Sequence, residues 1–181
     1  MPDQKIIEIE AIPESIEAFL ALRDQIALTP QGGAVMFVLA LLGYAKDQES
    51  GNKYLTISVD RANLQEDPTG YKGWELINRE MQLIRRQLGQ HPYLPLSYFQ
   101  NTSPQIGYAL PAAPFTFAFK SDSYSPAEES GEQKIFIYCS GADSPRPISL
   151  RRNNRGIWKA YGWSSLLMGI RAPIKELDDD L

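Results

Sequence analysis

Residues 29–45 read TPQGGAVMFVLALLGYA, and this stretch decides the fold. Thr29 offers a hydroxyl to the free N–H groups at a helix start, and Pro30 suits the first helical position, where no N–H is needed. Every residue from Ala34 to Leu42 is apolar. A helix apolar on all sides has to be covered on all sides. The spacing therefore predicts a central core helix over residues 31–45, with the rest of the chain packed around it.

Upstream, residues 5–12 alternate weakly and read as an edge strand or an arm. A second helical pattern follows Pro13, with Ile16, Phe19, Leu20 and Ile26 on one face and Glu17, Arg23 and Asp24 largely outside it. Downstream, residues 53–60 (KYLTISVD) are rich in β-branched side chains and predict a strand. Residues 67–73 read as a turn-rich link. Residues 74–88 predict a third helix, because Ile77, Met81, Ile84 and Leu88 recur on one face and Gly89 is placed to end it. Residues 90–114 hold five prolines among Tyr93, Tyr98, Phe99 and Tyr108. Helix and central strand are both difficult there, so a long ordered loop is expected, and loops this long are often functional.

The last third reads as β structure. Residues 115–120 and 134–139 alternate as strands around a polar loop. Residues 146–152 and 156–163 form an expected hairpin through the turn dipeptide Asn153-Asn154. Residues 164–170 read as strand or as a short helical turn, and residues 176–181 (ELDDDL) as a flexible acidic tail. Helices first and strands afterwards predict an α+β fold, with N-terminal helices packed on a C-terminal antiparallel, curved sheet. Residues 1–175 are expected to form one globular domain.

A chain of 181 residues buries about 70% of its unfolded surface and needs no disulfide or metal to fold. Cys139 is the only cysteine, which excludes an intrachain disulfide and a thiolate metal cluster. The longest apolar run, Ala34–Leu42, falls far short of the roughly 20 residues of a membrane span. The first residues lack a basic region followed by an apolar run. A soluble, cytoplasmic protein is expected. The net charge is −4, but it is unevenly spread. The window 144–175 carries seven of the eighteen Lys and Arg residues and no Asp or Glu, which leaves the remainder at −11. Such asymmetry is a footprint for an anionic partner.

That basic window supplies the strongest constellation. Arg151, Arg152 and Arg155 surround the Asn153-Asn154 turn, and Lys159, Trp158, Tyr161 and Trp163 follow on the next strand. Alternation puts Trp158 opposite Lys159 and Tyr161, and puts Trp163 on the Lys159 face if no bulge intervenes. Two uses fit this surface, with Tyr93, Tyr98 and Tyr108 of the proline-rich loop added to it. Arginine and aromatic residues make protein-interaction hot spots, and they also hold anionic ligands. A nucleic-acid partner is the less favoured reading, given the acidic whole. A solvated hairpin with its tryptophans in the core is the plain alternative.

Enzymatic signatures are weak. His91 is the only histidine, and near a helix end it suits terminal carbonyls as well as acid–base work. A Cys139–His91 pair is the one thiol nucleophile the composition allows, although a strand cysteine is commonly a small buried hydrophobe. Asp60, at an element end, reads as an ion-pair member or as the edge of a pocket with His91 and Cys139. Asp143 reads as a turn residue or an acceptor for Arg146. Ser164-Ser165 lacks the glycines of a nucleophile elbow, and Gly32-Gly33 lacks the lysine of a phosphate loop. No catalytic residue, metal or cofactor is assigned, and a hydrolase-like pocket stays as the alternative to a non-enzymatic binding module.

Several stretches carry a resemblance. They are Gly32-Gly33, Thr56-Ile57-Ser58-Val59-Asp60-Arg61, Gly70-Tyr71-Lys72-Gly73, His91-Pro92-Tyr93-Leu94-Pro95 with Ser97-Tyr98, residues 139–147 (CSGADSPRP), and Gly156-Ile157-Trp158-Lys159 through Ser164-Ser165-Leu166. The chain resembles a bacterial family of unknown function over nearly all of residues 16–173. The resemblance implies one folded unit and brings no activity or cofactor with it.

Overall fold

The computed structural model describes residues 4–121 and 130–174. The acidic tail over 176–181 lies outside the described residues, as do residues 122–129 of the expected polar loop. In chain order the elements are β1 (Lys5–Ile9), α1 (Ile16–Ile26), α2 (Pro30–Lys46), α3 (Gln48–Ser58), β2 (Leu64–Tyr71), β3 (Trp74–Leu76), α4 (Asn78–Gln90), β4 (Phe115–Lys120), β5 (Glu132–Ile137), β6 (Arg146–Arg152) and β7 (Trp158–Gly162). The fold is α+β. Helices dominate the first half, and β1 joins four C-terminal strands in an antiparallel sheet of order β1-β4-β5-β6-β7.

The core helix forms as its sequence requires. Thr29 Oγ1 accepts from Gly32 N at 3.1 Å, Pro30 opens the helix, and every residue from Pro30 to Leu42 is buried. Around it pack α1, α3, α4 and strands β1, β5, β6 and β7. Helix α1 starts at Ser15, whose Oγ accepts from Ala18 N, and it sends Phe19 inward to stack on Tyr54 with ring centroids 4.4 Å apart.

Two expectations need correction. Residues 53–60 are not a strand: α3 runs through them to Ser58. Asp47 caps it, its carboxylate accepting from Ser50 Oγ at 2.7 Å, and those bonds hold the carboxyl below its usual range. Gly51 then lets α3 lie directly on the Tyr44 backbone of α2. Packing of Tyr54, Leu55 and Ile57 against the core helix overrides their neighbours' β preference. The third predicted helix also starts late. Residues 74–76 are strand β3, paired with β2 through a tight turn in which Lys72 (φ 51°) and Gly73 (φ 84°) are both left-handed. Two such residues give the hairpin turn that matches strand twist. Helix α4 begins at Asn78 and buries Ile84 and Leu88.

Candidate functional site

The proline-rich loop is a packing strap. It contains two 3-10 turns, Leu94–Tyr98 and Pro104–Ile106. Tyr98 and Tyr108 are fully buried, so they offer no contact surface, contrary to expectation. Each phenol spends its proton on a distant carbonyl: Tyr98 donates to Leu166 O at 2.7 Å and Tyr108 to Arg171 O at 2.6 Å. Burial pushes the Tyr108 phenol up to about 12 and Tyr98 well above its ordinary range. Tyr93 is half-buried and stacks on Tyr108, centroids 5.4 Å apart.

The same strap accounts for two of the quoted stretches. Ser140 N donates to Ser97 O at 2.8 Å, the Ser140 and Thr102 hydroxyls lie 2.9 Å apart, and Cys139 Sγ donates to Ser97 Oγ at 3.3 Å. Residues 139–141 thus lock the loop to the end of β5. Cys139 is buried, His91 Nδ1 bonds Tyr93 Oη at 3.1 Å, and Asp60 accepts from Ala62 N at 2.9 Å. Each of the three thus bonds a different partner, and no hydrogen bond joins any two of them, which counts against the hydrolase-like alternative as a single constellation. Asp143 pairs with Arg171 rather than Arg146, whose guanidinium instead donates to Gly169 O.

The hairpin divides its residues. Its turn is held by Asn153, whose Oδ1 accepts from Arg155 N and Ile157 N, and the left-handed residue is Gly156 (φ 79°) rather than either asparagine. Arg152 and Arg155 are exposed. Arg151 is tied down: its guanidinium lies 3.4 Å from the Tyr161 ring centroid, 3.0 Å from Glu132 and 3.9 Å from Asp60. Trp163 is buried, also against expectation. The register between β6 and β7 slips, with Ser149 opposite Gly162 but Leu150 opposite Ala160. A one-residue bulge exchanges the faces beyond it, so Trp163 turns inward and stands 5.0 Å from Phe37.

Lys159 gives the hairpin its chemistry. Its ammonium donates to Ile57 O at the C-terminal end of α3, where a cation meets the unpaired carbonyls. Burial, then the nearby Arg23 charge, lowers its pKa to about 8. Proton NMR of the Lys159 side chain should show a midpoint near pH 8, well below that of exposed lysines. A midpoint at the ordinary 10.5 would mean that water reaches the amine freely.

Lys159 opens onto a cleft of about 370 Å³ between the end of α3, the β2–β3 hairpin and the β6–β7 turn. Arg61, Asp60, Thr56, Trp74 and Asn153 line it. The Arg61 guanidinium sits 4.7 Å from the Trp74 ring centroid, so its position is prearranged. Among the described residues Asp60 is the one carboxylate in the lining, and it is already bonded to Ala62 N and close to Arg151. The cleft therefore keeps a surplus of positive charge. Sequence reasoning found Lys159 and Asp60-Arg61 separately and missed Trp74, which it placed on a helix. The Lys72-Gly73 turn was the signal that puts Trp74 on a strand facing the hairpin. Among the described residues no group of three or more His, Cys, Asp or Glu side chains is gathered as a metal would require. No helix of the described residues is long and apolar enough to cross a membrane.

The cleft draws on three of the stretches that carry the resemblance, at 56–61, 70–73 through the adjoining strand, and 156–159. The family described as a domain of unknown function (DUF6935) matches residues 11–174, and the chain belongs to it. No curated protein and no solved structure matches the chain.

Proposed function

We propose that this protein is a non-enzymatic binding module that seats an anionic ligand in the cleft beside its basic hairpin. The observation that carries the reading is the placement of Lys159 and the Trp74-braced Arg61 around one concavity where the one carboxylate among the described residues is already engaged. A carboxylate or phosphate entering there meets two cations in a partly dry setting, where charge-assisted bonds are strong. Exposed Arg152 and Arg155 stand just outside and extend the positive field toward an approaching anion, whether free or part of an acidic protein segment. A cytoplasmic setting suits the lone reduced, buried thiol of Cys139.

The test is a low-salt thermal-shift series with inorganic phosphate, citrate, a nucleoside triphosphate and an acidic peptide. A ligand at a hundredfold excess over Kd stabilises by about 2.7 kcal/mol, enough to read as a melting shift. Arg61→Glu, an exposed position, should leave the fold intact and cost the bound anion about ten- to a hundredfold in affinity. Binding should also weaken as pH rises through about 8, because Lys159 then loses its charge. Undiminished shifts with folded Arg61→Glu, or no shift with any anion, would overturn the reading. Arg151→Glu is the poorer probe, since it breaks contacts with Glu132 and Asp60 inside the fold.

A further inference from the structure

A second concavity lies on another part of the molecule. Between α1 and the end of β1 runs an open groove of about 870 Å³, which shares no residue with the cationic cleft. Ile12, Leu22 and Phe115 give it an apolar floor, and each is only half-buried. Glu8, Glu10 and Glu14 stand exposed along it, and among the described residues no Lys or Arg lines it. Apolar floor and acidic rim together define a partner: apolar anchors flanked by basic side chains.

We infer that this groove docks a basic amphipathic helix of another protein. The wall contributed by α1 favours a helix. Ala18, Ala21 and Gln25 repeat there at helical spacing, and the two alanines are exposed, so a second helix axis can come close alongside α1. Charge argues against two acidic segments of this chain as the occupant. Residues 122–129 (DSYSPAEE) carry three acids and no base, and residues 175–181 (KELDDDL) carry four acids against one lysine, so both are repelled by the rim. The basic hairpin of the same molecule belongs to β6 and β7, at the opposite side of the sheet from β1.

The probe is a fluorescein-labelled helix, LKKLLKLLKKLLKL, titrated with the full chain at low salt and read by anisotropy. Its control is the LEELLELLEELLEL helix of opposite charge. The lysine helix should bind, weaken with added salt, and lose roughly tenfold or more in affinity on Ala21→Trp, which fills the groove, and on Glu10→Lys, which reverses the rim. Both positions are exposed, and melting curves will confirm that the variants fold. Arg61→Glu should bind the helix as the parent does, which separates this groove from the anion cleft. The inference is overturned if the lysine helix does not bind, if the glutamate helix binds equally, or if both folded groove variants bind undiminished. It is also overturned if sedimentation shows a dimer that Ala21→Trp converts to monomer, because a second copy then fills the groove.

Discussion

Gly32→Ala is expected to lower the melting temperature by about 6–12 °C, although alanine is the better helix former. The residue lies in the first turn of α2, where α1 has just ended. A Cβ there would overlap the Ile26 carbonyl, which is rigid backbone and cannot swing aside. Alanine gains about 0.8–1.0 kcal/mol of helix propensity. Forcing the two helices apart costs more, because α1 and α2 share a dense core and overpacking typically costs about 1–3 kcal/mol or more. Overlap with rigid backbone sits above that range, at about 3–5 kcal/mol, so the net loss of about 2–4 kcal/mol gives the stated shift at about 3 °C per kcal/mol. Gly89→Ala is the internal control. Its Cβ would meet nothing within 4 Å, so that variant should melt slightly higher than the parent. Equal melting of the Gly32 and Gly89 variants would show that the α1–α2 junction yields freely.

Trp158→Ala should cost about 3–5 kcal/mol, the range for deleting a large buried aromatic side chain. Trp158 is 2% exposed and anchors the hairpin to the core. Its backbone N–H donates to Ala27 O at 2.8 Å, and its carbonyl lies so close to Gly33 of α2 that a Cβ there would come within 2.7 Å of Trp158 O. Arg152 lies 5.5 Å from its ring centroid on the outer side. Removing the ring leaves the root of β7 unsupported, and Lys159 is the next residue. Chemical denaturation measures the loss. In whatever fraction stays folded, the Lys159 midpoint should move from about 8 toward 10.5 as water enters. A loss below 1 kcal/mol would mean that the hairpin does not depend on this anchor.

The parts of the fold legible in the sequence are those that local chemistry decides. Thr29-Pro30 and the unbroken apolar run define α2 within a residue or so of its bounds, and the alternation of FTFAFK and RPISLRR defines β4 and β6. Helix α3 was hidden because Thr56, Ile57 and Val59 favour strands, while its deciding partner, the Tyr44 backbone under Gly51, is a tertiary contact. The bulge that buries Trp163 has no marker in composition, because it depends on how β7 meets β6 and on where Asp60 attaches. The candidate site was legible only in pieces. Lys159 and Arg61 are 98 positions apart in the chain, and what joins them is the docking of α3 and the β2–β3 hairpin beside the β6–β7 turn. Buried Tyr98 and Tyr108 mislead for a related reason: a tyrosine that satisfies its hydroxyl inside the core looks, in one dimension, like one meant for a surface.

The segment that follows α3 also decides how this sheet ends. Val59 makes a single parallel bridge to Ala160, and Asp60 N donates to Ala160 O at 2.7 Å, so the outer edge of β7 is partly occupied from within the same chain. An open edge is where proteins stack into fibres, and a stopper two residues long is a light lock. This one shares Val59 and Asp60 with the cleft wall, so on the proposed function an anion bound there is expected to hold the stopper in place. On that reading such a ligand would guard against strand-to-strand aggregation. Solutions stored with it should stay clear longer on warming than its effect on the melting point alone would give.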